Sequence, residues 1–197
     1  MPGCGPLPSA GIQPPAKSLP LVAQAMPRTT DLFPVQQGYG WDYQVTVAPV
    51  MDPDAEDHGS YSLQIDKVKV GPAGSELELR GLSGFSNRYS FPTLVQRPQG
   101  VQLQDMTFVG LGADEVPGLK LELFQLPLEV GRRWEDENII GKVLSFETVN
   151  VPAGSFKAWR IEVIGTYDRE YTIVGDYWIV PGVGIVKARY TVPGFHV

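Results

Sequence analysis

The chain has 197 residues, a net charge of −6, 43% hydrophobic and 19% charged residues, 22 Gly, 18 Pro and a single Cys. Gly and Pro at that frequency interrupt helices and exclude a helical bundle; one Cys excludes a disulfide framework, which a chain able to bury roughly 70% of its unfolded surface does not need. With 22 Asp and Glu against 16 Lys and Arg and no basic cluster, no nucleic-acid partner is expected, because affinity for a phosphate backbone rests on clustered positive charge.

Residues 1–30 carry Pro6, Pro8, Pro14, Pro15, Pro20 and Pro27 among small residues. Such a stretch buries too little apolar surface to offset its ordering entropy and favours extended polyproline II, so it predicts a flexible tether. At ~3.1 Å per residue it would reach up to roughly 80 Å. The only cysteine, Cys4, stands at its start in Met1-Pro2-Gly3-Cys4-Gly5. A Gly-Cys pair followed by a Pro- and Ser-containing linker resembles the end of a bacterial lipoprotein signal, in which cleavage before Cys leaves it to carry lipid. The resemblance implies a membrane partner through lipidated Cys4 and a place in the bacterial cell envelope, on its periplasmic or extracellular face. More than one acyl chain would be needed, since a single one anchors only marginally. No charged or apolar signal region precedes Cys4, so the chain is expected to start near the cleavage point. The alternative is a free thiol in the tail of a cytosolic protein. No run of about eighteen apolar residues is present to span a bilayer as a helix.

From Asp31 to Val197 the dominant hydrophobic period is two, and a single β-domain is expected. Gln44–Val47, Glu76–Arg80, Leu119–Leu123 and Val186–Val192 alternate apolar and polar residues, as strands with one wet face do. Tyr171–Val174 and Tyr177–Val180 are apolar on both parities and read as strands covered on both sides, candidates for the sheet centre. The apolar parity slips at Asp66-Lys67 and again at Gln104-Asp105. A one-residue slip turns side chains to the other face, so a bulge or strand break is predicted at each place.

Several motifs recur in the same order. Phe33-Pro34-Val35-Gln36-Gln37-Gly38-Tyr39-Gly40-Trp41 matches Leu126-Pro127-Leu128-Glu129-Val130-Gly131-Arg132-Arg133-Trp134. Val68-Lys69-Val70-Gly71-Pro72-Ala73-Gly74-Ser75 matches Val149-Asn150-Val151-Pro152-Ala153-Gly154-Ser155, with an Arg five residues after each Ser, at Arg80 and Arg160. Pro98-Gln99-Gly100-Val101 is echoed by Pro181-Gly182-Val183-Gly184. Pro-Ala-Gly supplies a fixed φ followed by a residue tolerant of positive φ, which predicts strand, tight turn, strand. Trp41 and Trp134 would occupy equivalent places, each burying on the order of 200 Å². Two related halves, about 31–117 and 118–197, are expected to share one core.

The order carried by Leu126 to Trp134, Thr148 to Phe156 and Tyr177 to Val186 resembles bacterial envelope proteins of an uncharacterised β-rich lipoprotein family. Some of these are similar to the LolA, LolB and LppX group, whose antiparallel sheet curls into a half-barrel around an apolar cavity for acyl chains. The resemblance implies an all-β fold with few or no helices, a half-barrel or open barrel, and a lipid or apolar ligand. Clear helices to plug such a half-barrel are lacking in this sequence.

Candidates for chemistry are few. Asp52, Asp54, Glu56 and Asp57, with His58, could hold a hard cation through oxygen ligands, but they lack the order of a calcium loop and fit a solvated hairpin tip better. The two histidines, His58 and His196, lie near no Gly-x-Ser-x-Gly elbow, and the Gly-rich stretches Gly81–Gly84 and Gly110–Gly112 lack the Lys-Ser/Thr of a phosphate loop. Tyr167, Tyr171, Tyr177 and Trp178 fit either an exposed aromatic face or core packing. No enzymatic activity and no cofactor are expected. The reading is an envelope lipoprotein that binds an apolar ligand or another envelope protein, or else a structural subunit docking through sheet edges and its Pro-rich tail.

Overall fold

The computed structural model describes residues 31–47, 57–84, 93–104, 120–136, 139–167 and 171–191. Cys4, Asp52, Asp54, Glu56 and His196 lie outside them, as does the second predicted parity slip beyond Gln104. Among the described residues there is no helix and there are eleven strands: β1 (Gly40–Val47), β2 (Asp57–Gly71), β3 (Gly74–Gly84), β4 (Thr93–Arg97), β5 (Gly100–Gln104), β6 (Lys120–Gln125), β7 (Arg133–Asp136), β8 (Ile139–Val151), β9 (Gly154–Tyr167), β10 (Tyr171–Val180) and β11 (Gly184–Thr191). Strands β1 to β6 form one antiparallel sheet in chain order, curled as a half-barrel, and β7 to β11 form a second, also in chain order.

The curl has local causes. The β2–β3 register shifts at the predicted place, with Ile65 opposite Leu79 but Lys67 opposite Glu78, so Asp66 is the extra residue. The same ladder shifts again between Ser62 and Leu63, and further shifts lie between Val143 and Ser145 on β8, between Val101 and Gln102, and between Trp178 and Ile179. An extra residue bends its strand and increases the local twist. One expectation is corrected here: Tyr171–Val174 and Tyr177–Val180 are not two strands but the single strand β10. Gly175 permits this continuity, because the Tyr177 ring lies so close that an added Cβ would sit 2.9 Å from it. β10 is an interior strand, between β9 and β11.

The two sheets share one core. Ile65, Leu77, Leu94, Val101, Leu123 and Phe124 from the first meet Trp134, Ile139, Val143, Ile161, Val163 and Ile179 from the second. Phe124, Ile65, Leu77, Ile161 and Ile179 are under 2% exposed, so side chains fill the space between the sheets. Just ahead of β1, Leu32 and Phe33 enter this core, held by buried Gln96, whose Oε1 accepts the Phe33 amide at 2.8 Å and whose Nε2 donates to the Phe33 carbonyl at 3.2 Å.

Side chains stitch the sheets along both margins. The Trp41 indole donates to the Val183 carbonyl and the Tyr43 hydroxyl to the Ile185 carbonyl, each at 2.7 Å, joining β1 to β11. Across the other margin the Trp134 indole, on β7, donates to the Glu122 carbonyl of β6 at 3.0 Å. Each Trp therefore bonds to the opposite sheet.

Candidate functional site

Of the residues singled out in the sequence, the Pro, Gly and Trp motifs fall into matched backbone geometry. Gly38 and Gly131 have φ of 81° and 88°. The Gly38 amide donates to the Ile65 carbonyl and the Gly131 amide to the Val143 carbonyl, both at 2.9 Å, and Ile65 and Val143 donate back to the carbonyls of Tyr39 and Arg132. The Pro72-Ala73 and Pro152-Ala153 turns close on Gly74 and Gly154, with φ of 137° and 134°. The Arg80 and Arg160 echo fits differently. From the bulge to the turn, β8 is two residues longer than β2, so counting from the bulges sets Glu78, not Arg80, against Arg160.

Of the metal candidates, Asp52, Asp54 and Glu56 lie outside the described residues. Only the backbone of Asp57 is described, opposite Val47 at the start of β2. His58 is exposed, with its Nδ1 3.2 Å from the Thr46 hydroxyl. Among the described residues, no three His, Cys, Asp or Glu side chains gather as a metal-binding group. The aromatic group divides between faces. Tyr177 packs edge-on to Phe124 against the core, Trp178 points to the opposite face, and the side chains of Tyr167 and Tyr171 lie outside the described set.

That opposite, outer face of the second sheet carries the densest set of polar contacts. The register places Ser145, Arg160, Trp178 and Lys187 in one row, and Lys142, Glu162, Asp176 and Arg189 in the next. Asp176, only 7% exposed, accepts from Arg160 Nε at 3.4 Å and Nη2 at 3.1 Å, and from Arg189 Nη2. Burial pushes its carboxyl pKa up, but the two guanidinium groups outweigh this and hold it below the usual value. Arg160 also stacks 5.3 Å from the Trp178 ring centre, with the Lys187 ammonium at 4.9 Å. The Trp178 indole donates to Glu147 Oε1 at 2.7 Å, while the Ser145 hydroxyl donates to Oε2 at 2.6 Å. The Ser145 hydroxyl and then the Trp178 indole lower the Glu147 pKa. A carboxylate so stabilised is a weak base toward Ser145, and the network suits a rigid, charge-bearing surface better than proton transfer.

Beside this network lies an apolar patch separate from the main core: Val149, Ala158, Trp178 and Val180, with half-buried Val151, Phe156, Val183 and Val186 around them. The first sheet's ion pairs are more exposed, with Lys67 2.6 Å from Glu78 and Lys69 3.2 Å from the same carboxylate. A groove of about 240 Å³ lies at the β2–β3 hairpin, lined in part by Lys69, Pro72, Val95 and Arg97, outside the core.

One edge of the second sheet is also open. β7 pairs with β8 only from Ile139 to Lys142, and after the bonds of Val143 no described strand covers Leu144–Val151 on that side. Next to this edge Phe146 is 43% exposed and its ring lies 4.7 Å from Trp159.

Sequence reasoning missed Ser145, Glu147, Asp176, Lys187 and Arg189. A visible signal was Asp176 standing between the two apolar runs of β10, where a charge on a sheet interior calls for a partner.

No family model matches. No curated protein matches either. A solved structure of a candidate lipoprotein from Parabacteroides distasonis ATCC 8503 is similar, at 16% identity over 83% of this chain and 92% of that one, with a TM-score of 0.46.

Proposed function

We propose that this protein is a non-enzymatic lipoprotein of the bacterial cell envelope, anchored through lipid on Cys4 and carrying a β-domain that binds another envelope protein. The observation that carries the reading is Cys4 at the head of the Pro-rich stretch 5–30, ahead of a domain whose interior is occupied by its own side chains. A filled interior favours a protein partner over an enclosed acyl chain, and the open β8 edge beside Phe146 supplies a place for it. The matched turns and bulges support the expectation of two related halves, with residues 1–30 as the tether.

Intact mass spectrometry of the protein extracted from native membranes tests the anchor. Cys4 should carry added mass equal to a glyceride and acyl chains, and Cys4→Ser should move the protein from the membrane to the soluble fraction. Unmodified Cys4 on membrane-free protein would remove the reading.

A structural interaction subunit is the second reading, favoured by the same edge. Affinity capture with the native chain and with Thr148→Pro, an exposed position whose amide faces the open side by the alternation of the β8–β9 ladder, separates a strand-adding partner, which a proline on the edge disrupts, from a partner bound elsewhere.

A further inference from the structure

The sequence marked β10 as apolar on both parities, and the structure gives each parity its own cluster. Tyr177 and Ile179 face the main core, while Trp178 and Val180 belong to the outer patch. A sheet with core-like residues on both faces takes a layer on each; the outer cluster draws no residue from the first sheet, and around its buried centre Val151, Phe156, Val183 and Val186 are only half-buried. The start of the described domain lies at the rim of this patch. The Gly182 amide donates to the Asp31 carbonyl at 2.9 Å, and the next residue, Val183, is part of the patch. We propose that the outer face of the second sheet is the docking surface for the chain's own segment Leu19–Thr30.

The segment's composition and length fit. Leu19, Leu21, Val22 and Met26 supply apolar side chains, and Pro20 and Pro27 pre-set an extended backbone that loses little entropy on docking. From β11 to β8 is three inter-strand steps of ~4.8 Å, about 14 Å, which about five residues at ~3.1 Å span. This inference stands without lipid on Cys4.

Limited trypsin digestion of the full chain tests it. In a folded protein, cleavage follows the population of the open form, so Arg28-Thr29 should be cut about tenfold faster in Leu21→Ser/Val22→Ser than in the native chain. Val183→Ser/Phe156→Ser should give the same acceleration from the other side of the contact, with circular dichroism and the urea midpoint confirming that each variant is folded. Cleavage at Lys17-Ser18 serves as the internal reference. Equal rates at Arg28 in the native chain and both variants would overturn the proposal. So would a dimer in sedimentation that Val183→Ser/Phe156→Ser dissociates, since a second copy would then occupy the patch.

Discussion

Asp176 shows how much one side chain organises on the outer face. It is nearly buried, and two guanidinium groups converge on it while one of them also stacks on Trp178. Asp176→Asn keeps the shape and removes the charge, so it should lower stability by about 1–3 kcal/mol in urea titration, toward the low end because the Arg189 side chain is 65% exposed. The pH dependence has a definite sign. The folded-state pKa values of Asp176 and Glu147 are depressed, so their contribution is complete above the unfolded values near 4 and is lost as pH falls through the folded ones. The urea midpoint of the native protein should therefore fall below about pH 4, and that of Asp176→Asn/Glu147→Gln should fall less steeply. Arg160 was noticeable in the sequence as a repeated Arg, but its partner was not. The pairing is set by the register of β9 against β10, which puts Arg160 opposite Trp178 and diagonally next to Asp176, and that register is not local in sequence.

At the level of hairpins and turns, Gly74 and Gly154 offer a matched comparison. Both have a φ that L side chains rarely adopt, yet a Cβ on Gly154 meets nothing within 4 Å whereas one on Gly74 falls 2.1 Å from the Gln96 carbonyl oxygen. Gly154→Ala should cost about 1–2 kcal/mol from backbone strain alone, and Gly74→Ala should add a further ~1–3 kcal/mol of overpacking. Thermal or urea unfolding of the pair measures the difference; equal losses would mean that β4 yields freely. Gly141 is as constrained from another direction, since its missing side chain makes room for the Trp134 ring, 2.0 Å from where a Cβ would stand. The turns and the slip at Asp66-Lys67 could be read in advance because proline, glycine and parity act locally. The fusion of two apolar runs into β10 could not, because it depends on Tyr177 folding back over Gly175.

For the molecule as a whole, alternation and punctuation were enough to indicate an all-β antiparallel fold, but not its division into six and five strands. Which strand follows which is local; where one sheet stops and the next begins depends on contacts such as Trp134 with Glu122, distant from any motif. The shared core carries a prediction at this scale. Because Ile65 and Leu77 of residues 31–117 are buried in one cluster with Phe124, Val143, Ile161 and Ile179 of residues 118–197, neither half keeps this core alone. Unfolding followed by circular dichroism and by Trp fluorescence should give coincident single transitions, and a fragment of residues 31–117 should lack the strand signal. Separate transitions would show two independent units. The margin where Trp41 and Tyr43 bond to the carbonyls of Val183 and Ile185 has a further consequence for assembly. Val183 precedes β11 and Ile185 lies within it, and with side chains already bonded to these two carbonyls that margin has less to offer an incoming strand. The open stretch of β2 beyond Ile65 is flanked by Lys67 and Lys69, charges that discourage strand addition, so of these described stretches Leu144–Val151 is the more receptive. A partner strand added at Leu144–Val151 would cap that stretch, and a capped edge favours a finite complex over a growing fibre.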